Sequence, residues 1–463
     1  MCIVALGGLF SLLESVVGTF AGAGWLLVGA GSGFLVGPQD RKPARRFAAT
    51  LEPLCPGPVD RLVRRSPQAL AAAVDDPGYP ARYGTDPDVS RKTLEAALDD
   101  ATDRVGDNLD TFYDRFPEPA SDDLVYGATS NADGWTTSFW TGLCWLAGEV
   151  TGQRRFRDAA SAQVETFRRR LETGETDTHD LGFLYSLSTV ADHRLTGREP
   201  SRVAAVRAAD LLADRFHPAP GLIQAWGPTD DPDAWTHGRM IVDTMMNLPL
   251  LFWASEATGD PRYADIAGTH ARTNAAHVVR PDGSTFHTFA CDAETGEPLG
   301  GETHQGCADD SCWARGQAWA IYGYALVADY AGEPAYADLA AKLANYYLSH
   351  VADDHVPRWD FDAPADDTVR DSSAAAIAAC GFAHLARVLP AADERAGRYR
   401  NTALATLGSL TDDYRAGADS NGLLTDGAYN RPEGDYDECT IWGDYFYVEG
   451  LVRATRAAWE PYW

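Results

Sequence analysis

The chain has 463 residues, 45% of them hydrophobic, with 13 Trp, 19 Tyr and 17 Phe; it is too long for a small stapled module and too apolar for a disordered chain. Its 39 basic residues stand against 67 acidic ones, a net charge of −28, which argues against any nucleic-acid partner because phosphate contacts need a basic stripe. Lysine is confined to Lys42, Lys92 and Lys342, and an acidic surface served almost only by Arg reads as halophilic, kept hydrated at high salt.

The first 70 residues differ from the rest, with seven basic residues against Glu14, Asp40, Glu52 and Asp60. Ser15 to Gly37 is uncharged and long enough to span a bilayer if helical, and Arg41, Lys42, Arg45 and Arg46 follow it. That order predicts an anchor with the C-terminal body in the cytoplasm; the alternative is an extension read from a start upstream of the natural one. Residues 1–88 are therefore expected to lie outside a functional domain spanning 89–463, and a membrane is a partner only if the extension is real.

From Val89 onward apolar residues recur at three- and four-residue spacing, which predicts a nearly all-α body. The segment Thr151-Gly152-Gln153-Arg154-Arg155-Phe156 recurs as Thr258-Gly259-Asp260-Pro261-Arg262-Tyr263 and as Ala331-Gly332-Glu333-Pro334-Ala335-Tyr336, with Leu195-Thr196-Gly197 as a degenerate copy. Each copy lies between an apolar helix and an amphipathic one, so Gly ends the first and Asp, Glu or Pro starts the second. Irregularly spaced helical hairpins with long loops predict a closed α/α toroid with a pocket built by loops at one end, an open α-solenoid scaffold being the alternative.

The eight cysteines form no CxxC pair and several sit in apolar runs, which predicts free thiols in a reducing, intracellular compartment. His304, Cys307 and Cys312 are the one candidate metal cluster, but structural zinc wants four ligands at tighter spacing, so no metal is expected.

The chemistry-bearing residues fall in three clusters. Asp180 follows His179 and precedes the apolar run Leu181-Gly182-Phe183-Leu184, where capping a helix is its simplest role. Asp243 lies in the most apolar setting of any carboxylate in the chain, with Arg239 and Asn247 four residues away on either side. In helical register the three form one polar stripe with a buried Arg–Asp pair; alternatively Pro249 starts the helix near Asn247 and leaves Asp243 just ahead of it. His287, His304, Gln305, Trp313, Arg315 and Trp319 form the third cluster, in which the planar fork of Arg315 suits a sugar carboxylate. Trp135 and Trp226 add flat apolar rings of the kind that stack on pyranoses, core packing being the alternative for each ring taken singly.

Together these strings resemble the unsaturated glucuronyl hydrolases of glycoside hydrolase family 88. The resemblance is carried by Trp135-Thr136 with Phe139-Trp140-Thr141-Gly142, His179 to Leu187, Gln224-Ala225-Trp226-Gly227-Pro228, Gly238 to Asp243 and Asn247-Leu248-Pro249. It continues through Thr303-His304-Gln305-Gly306, Arg315-Gly316-Gln317-Ala318-Trp319, Arg370-Asp371-Ser372-Ser373-Ala374 and Thr440 to Tyr445. It implies an (α/α)6 barrel that hydrates the C4=C5 bond of a Δ4,5-unsaturated uronyl residue at the non-reducing end of an oligosaccharide, without metal or organic cofactor. It also implies that Asp243 is the proton donor and water activator, with Asp180 assisting. His179, Arg239, His287, Gln305 and Arg315 are implied to contact sugar or water, and Trp135, Trp226, Trp313 and Trp319 to shape the pocket. The match is loosest over the loop Thr229 to His237, which bears on the aglycone subsites more than on the reaction.

The charge excess predicts that folding weakens on desalting, since unscreened carboxylates repel one another over longer distances. Melting temperature should rise from low to molar salt; identical melts would contradict the halophilic reading.

Overall fold

The computed structural model describes residues 65–83, 87–173 and 176–463. Helices dominate it: α1 (Pro67–Ala72), α2 (Arg91–Phe112), α3 (Thr137–Thr151), α4 (Arg154–Thr173), α5 (residues 181–196), α6 (Glu199–Ala213), α7 (Leu248–Thr258), α8 (Pro261–His277), α9 (Ala314–Ala331), α10 (Pro334–His350), α11 (Ser372–Val388), α12 (Glu394–Asp413) and α13 (Ile441–Thr455). Within α5, the turn Ser186–Val190 is π-helical.

Amphipathicity sorts these helices into two rings. The apolar helices α3, α5, α7, α9, α11 and α13 each touch the next, and α13 returns to α3, which closes the inner ring. Nearly every residue of α9 and α11 is buried, because each is covered by its ring neighbours and by the outer helix behind it. The outer helices α4, α6, α8, α10 and α12 follow their inner partners in sequence, and α2 packs against α13. The result is the expected (α/α)6 toroid.

The turns are made as their sequences require. Gly152, Gly197, Gly259 and Gly332 end α3, α5, α7 and α9 with φ between 61° and 79°, a left-handed conformation that costs glycine no Cβ clash. The degenerate copy at Gly197 is thus a true member of the repeat.

Of the two readings of the Asp243 segment, the structure bears out the one in which Pro249 lies in the first turn of the helix and Asp243 just ahead of it. Residues 239–247 are not one helix: Arg239–Ile241 is a strand, Val242–Met246 a 3₁₀ turn, and α7 begins at Leu248 with Pro249 in its first turn. The strand, β1, pairs antiparallel with β2 (Thr288–Cys291), which pairs with β3 (Pro298–Glu302). This small sheet satisfies the backbone of the apolar run and breaks the polar stripe, so Arg239 pairs with Glu302 at 2.8 Å rather than with Asp243.

Residues upstream of the expected boundary at 88 pack on the body. Helix α1 packs on the outer helices α8 and α10, and Leu70, Val74 and Tyr83 are buried. Lys342, one of only three lysines, donates to the carbonyls of Ala71 at 2.7 Å and Val74 at 2.6 Å, satisfying the free end of α1. Asn345 holds Asp76 at 2.7 Å. The apolar stretch 15–37 lies outside the described residues; among those, no helix is long and apolar enough to cross a membrane.

A chain starting at residue 89 should therefore be less stable than one starting at residue 65, by roughly 3–6 kcal/mol from the lost apolar burial. Thermal melts of the two chains check this, and equal melting temperatures would restore the boundary at 88.

Candidate active site

Because inner and outer helices alternate in direction, all six inner helices start at the same mouth of the toroid. Trp135 lies two residues before α3, Asp180 immediately before α5, Asp243 on the turn leading into α7, Trp313 immediately before α9, Asp371 at the cap of α11 and Trp442 in the first turn of α13. Helix N-termini leave unsatisfied N–H groups and a partial positive charge there, so the mouth favours an anionic ligand.

Asp180 sits at the start of α5 but makes no capping bond, which removes the capping alternative. Its Oδ2 instead accepts from the Thr178 hydroxyl at 2.7 Å, and its Oδ1 lies 3.3 Å from His179 Nε2. The other nitrogen, His179 Nδ1, is 3.0 Å from the Thr244 hydroxyl and 3.3 Å from Asn247 Nδ2. An amide nitrogen can only donate, so Nδ1 accepts and the ring hydrogen resides on Nε2, toward Asp180. Burial holds the His179 pKa below its usual value, partly offset by Asp180, so the ring is a neutral donor.

Asp243 is half-buried as a residue, yet its Oδ2 is fully buried without a hydrogen-bond partner. Burial pushes its pKa up to about 7, reinforced by the negative charge of Asp180 and opposed by Arg315. A second orphaned atom belongs to His287. Its Nδ1 accepts from the backbone N–H groups of His304 and Gln305, both at 3.1 Å, which leaves the hydrogen on Nε2, buried and unpartnered. Burial, followed by the charges of His304 and Arg315, holds this ring well below the usual histidine range. An acid and a neutral donor without protein partners are what a site keeps for its substrate.

The remaining expected residues divide. Trp135 is half-buried and lies against Trp442 at 5.0 Å, and Trp226 faces His179 at 6.4 Å and His304 at 5.3 Å. Trp313 lies against His287 at 4.3 Å, the rings tilted by 37°. Gln305 ties its loop to the carbonyl of Tyr429 at 2.9 Å. Trp319 is fully buried against Phe183 and Phe446 and supports the floor rather than the wall. Arg239 is held by Glu302 and Thr288 under the ring of Trp235.

Arg315 is among the most enclosed of the expected residues. It is 1% exposed, its guanidinium lies between the rings of Trp313 at 4.4 Å and Trp442 at 5.0 Å, and its Nη atoms donate to Asp371 and to the carbonyls of Ala428 and Tyr429. Both Nη atoms are engaged within the protein while Nε is buried without a hydrogen-bond partner, and the guanidinium places its charge beside Asp243. The string Arg370-Asp371-Ser372-Ser373 contains the partner, but only the fold reveals that Asp371 both caps α11 and pairs with Arg315. Glu302, Thr178 and Thr244 also went unmarked, since nothing local distinguishes them from surface polar residues, and so did Trp235, whose loop the sequence reading did not resolve. Among the described residues, no group of three or more His, Cys, Asp or Glu side chains is arranged to hold a metal, and Cys312 instead donates to Gln317.

A toroid that gathers two acidic side chains and flat aromatic walls at one mouth defines an enzyme of saccharide processing. The family model for Glycosyl Hydrolase Family 88 matches residues 108–457. The chain is 42% identical over 374 residues to the unsaturated glucuronyl hydrolase of Bacillus sp. (strain GL1), covering 80% of this chain and 98% of that protein. It is 40% identical over 395 residues to the unsaturated chondroitin disaccharide hydrolase of Streptococcus pneumoniae, covering 83% and 97%. The crystal structure of unsaturated glucuronyl hydrolase from Streptococcus agalactiae superposes with a TM-score of 0.80 at 37% identity, covering 84% of this chain and 99% of that one. The chain belongs to glycosyl hydrolase family 88.

Stability carries a signature of this site. A carboxyl with a raised folded pKa binds its proton more tightly when folded, so stability falls as pH rises from about 3.8 toward about 7 and levels off above. Asp243→Asn removes that loss and should be more stable than wild type at pH 8, by about 1–3 kcal/mol after allowance for partial solvent access, with no difference below pH 4. A destabilised Asp243→Asn at pH 8 would mean that the carboxylate is paired in the fold.

Proposed function

We propose that this chain releases Δ4,5-unsaturated uronic acid from the non-reducing end of oligosaccharides left by polysaccharide lyases, by hydrating the C4=C5 double bond. The observation that carries this reading is the Asp243 carboxyl, with a partnerless buried oxygen and a pKa of about 7. An acid poised near neutrality can give a proton and take one back.

The Asp243 carboxyl transfers its proton to C4, and the electron pair of the double bond forms the new C–H bond. Positive charge develops across C5 and the ring oxygen, where the Asp180 carboxylate, steadied by Thr178 and His179, stabilises it. Water adds to C5 and gives a proton to the Asp243 carboxylate, which restores the acid. The hemiketal at C5 opens to a ketone, and C1, now a hemiacetal carbon, expels the aglycone alcohol. His287 Nε2–H and the rings of Trp135 and Trp226 hold the sugar, while the helix N-termini attract its carboxylate. The hydration step uses only the Asp243 carboxyl and water for its proton transfers, and the reading calls on no cofactor. Free thiols at the six described cysteines and the acidic composition support work in a reducing, salt-rich cytoplasm.

Turnover is followed by loss of the absorbance of the conjugated double bond, with a saturated uronyl disaccharide as control. Wild type should act on the unsaturated substrate alone, with kcat falling as pH rises through about 7 as the Asp243 acid loses its proton. Asp243→Asn keeps shape but transfers no proton, so kcat should drop by roughly 10²–10⁴. Asp180→Asn should also lose most turnover while melting near wild type. Cleavage of the saturated disaccharide would instead favour a conventional pair of glycosidase carboxylates, and a fully active Asp243→Asn would refute the mechanism.

A further inference from the structure

Trp235, on the loop between Trp226 and β1, is 62% exposed, an unusual position for an indole in an acidic surface. Its ring is nonetheless held in place. The Arg239 guanidinium lies 5.3 Å from its centroid, and Arg239 is itself 7% exposed and anchored by Glu302 and Thr288 at 2.8 and 3.0 Å. On the site side, Trp235 meets Trp226 at 5.7 Å and His304 at 6.3 Å. Trp226 in turn meets His179, the neighbour of Asp180. The aromatic line thus runs outward from the aspartates to an open, pre-oriented ring.

We infer that Trp235 is the platform on which the aglycone sugar stacks, and that this sugar is uncharged and unsulfated; the inference rests on the proposed uronyl hydrolase activity. A rigid aromatic face binds the C–H face of a sugar at little entropic cost. The charge around it sets the class of sugar. Asp230, Asp231 and Asp233 precede the ring, all exposed, and Glu302 is exposed beside it. The cation at the ring, Arg239, is already neutralised by Glu302. A sulfate placed here meets carboxylates without a free guanidinium to offset them.

The test compares an unsaturated uronyl disaccharide with a neutral hexose aglycone, its 6-sulfated counterpart and the unsaturated methyl uronide. Trp235→Ala should raise KM for the neutral disaccharide about three- to tenfold, with less than a twofold rise for the methyl uronide, and Trp235→Phe should recover most of the loss. Wild type should prefer the neutral over the sulfated disaccharide in kcat/KM, and Asp233→Asn should narrow that gap. Calorimetric binding of the neutral disaccharide to Asp243→Asn, with and without Trp235→Ala, reads the same three- to tenfold difference without turnover. Equal KM changes for disaccharide and methyl uronide, or a wild-type preference for the sulfated sugar, would overturn the inference. A wild type that hydrates none of the three overturns the proposed activity instead, and the calorimetric comparison still decides the role of Trp235.

Discussion

The site depends on a single close approach between the start of α5 and the start of α7. At Gly182 a Cβ would lie 2.2 Å from the Cα of Asn247, so only glycine lets the two helix starts meet. Asn247 then joins them: its Oδ1 accepts from the Phe183 N–H at 2.6 Å, while its Nδ2 is 3.3 Å from both His179 Nδ1 and the Asp243 carbonyl. One side chain therefore fixes the backbone beneath Asp180, the tautomer of the histidine beside it and the turn that presents Asp243. The mutual repulsion that helps to raise the Asp243 pKa is a consequence of that junction.

The neighbouring inner helices hold this junction in place. Ser138 on α3 donates to the Phe183 carbonyl at 2.9 Å, and Trp319 packs against the Phe183 ring from α9. Arg315 is locked by Asp371 and two backbone carbonyls. Buried ion pairs of this sort add little net stability but are costly to break. Here the pair keeps a fixed positive charge beside Asp243, which stops its pKa from climbing further out of the working range. Burial, a neighbouring carboxylate and a committed guanidinium together set the acid near neutrality.

The acidic exterior and the site obey different electrostatics. Surface carboxylates are screened by salt within about a Debye length, whereas the buried Asp243 oxygen is shielded from both water and ions. A protein can therefore carry a large negative charge on its surface while its mouth, ringed by helix N-termini, receives an anionic sugar. The loop bearing Trp235 lies between these regimes, and its exposed acids act on whatever follows the uronyl residue.

Much of this was legible in the sequence because the signals are local. Helical periodicity, the Gly-Asp/Glu-Pro hairpin turns and the apolar setting of Asp243 depend on a few neighbouring residues, and they pointed to a helical toroid and to one unusual carboxylate, while the six-hairpin barrel and the pairing of Asp180 with Asp243 came from the resemblance to family 88. Pro249 likewise raised a helix starting beyond Asp243 as an alternative to a continuous polar stripe, and the fold chose between them. What the sequence could not decide were matters settled by contacts distant along the chain. Arg315 pairs with Asp371, Arg239 with Glu302, and Lys342 with the end of α1, each across many tens of residues. A guanidinium free for substrate and one committed to the fold read identically in sequence; only the tertiary structure, by bringing an acceptor within hydrogen-bond reach, determines which it is.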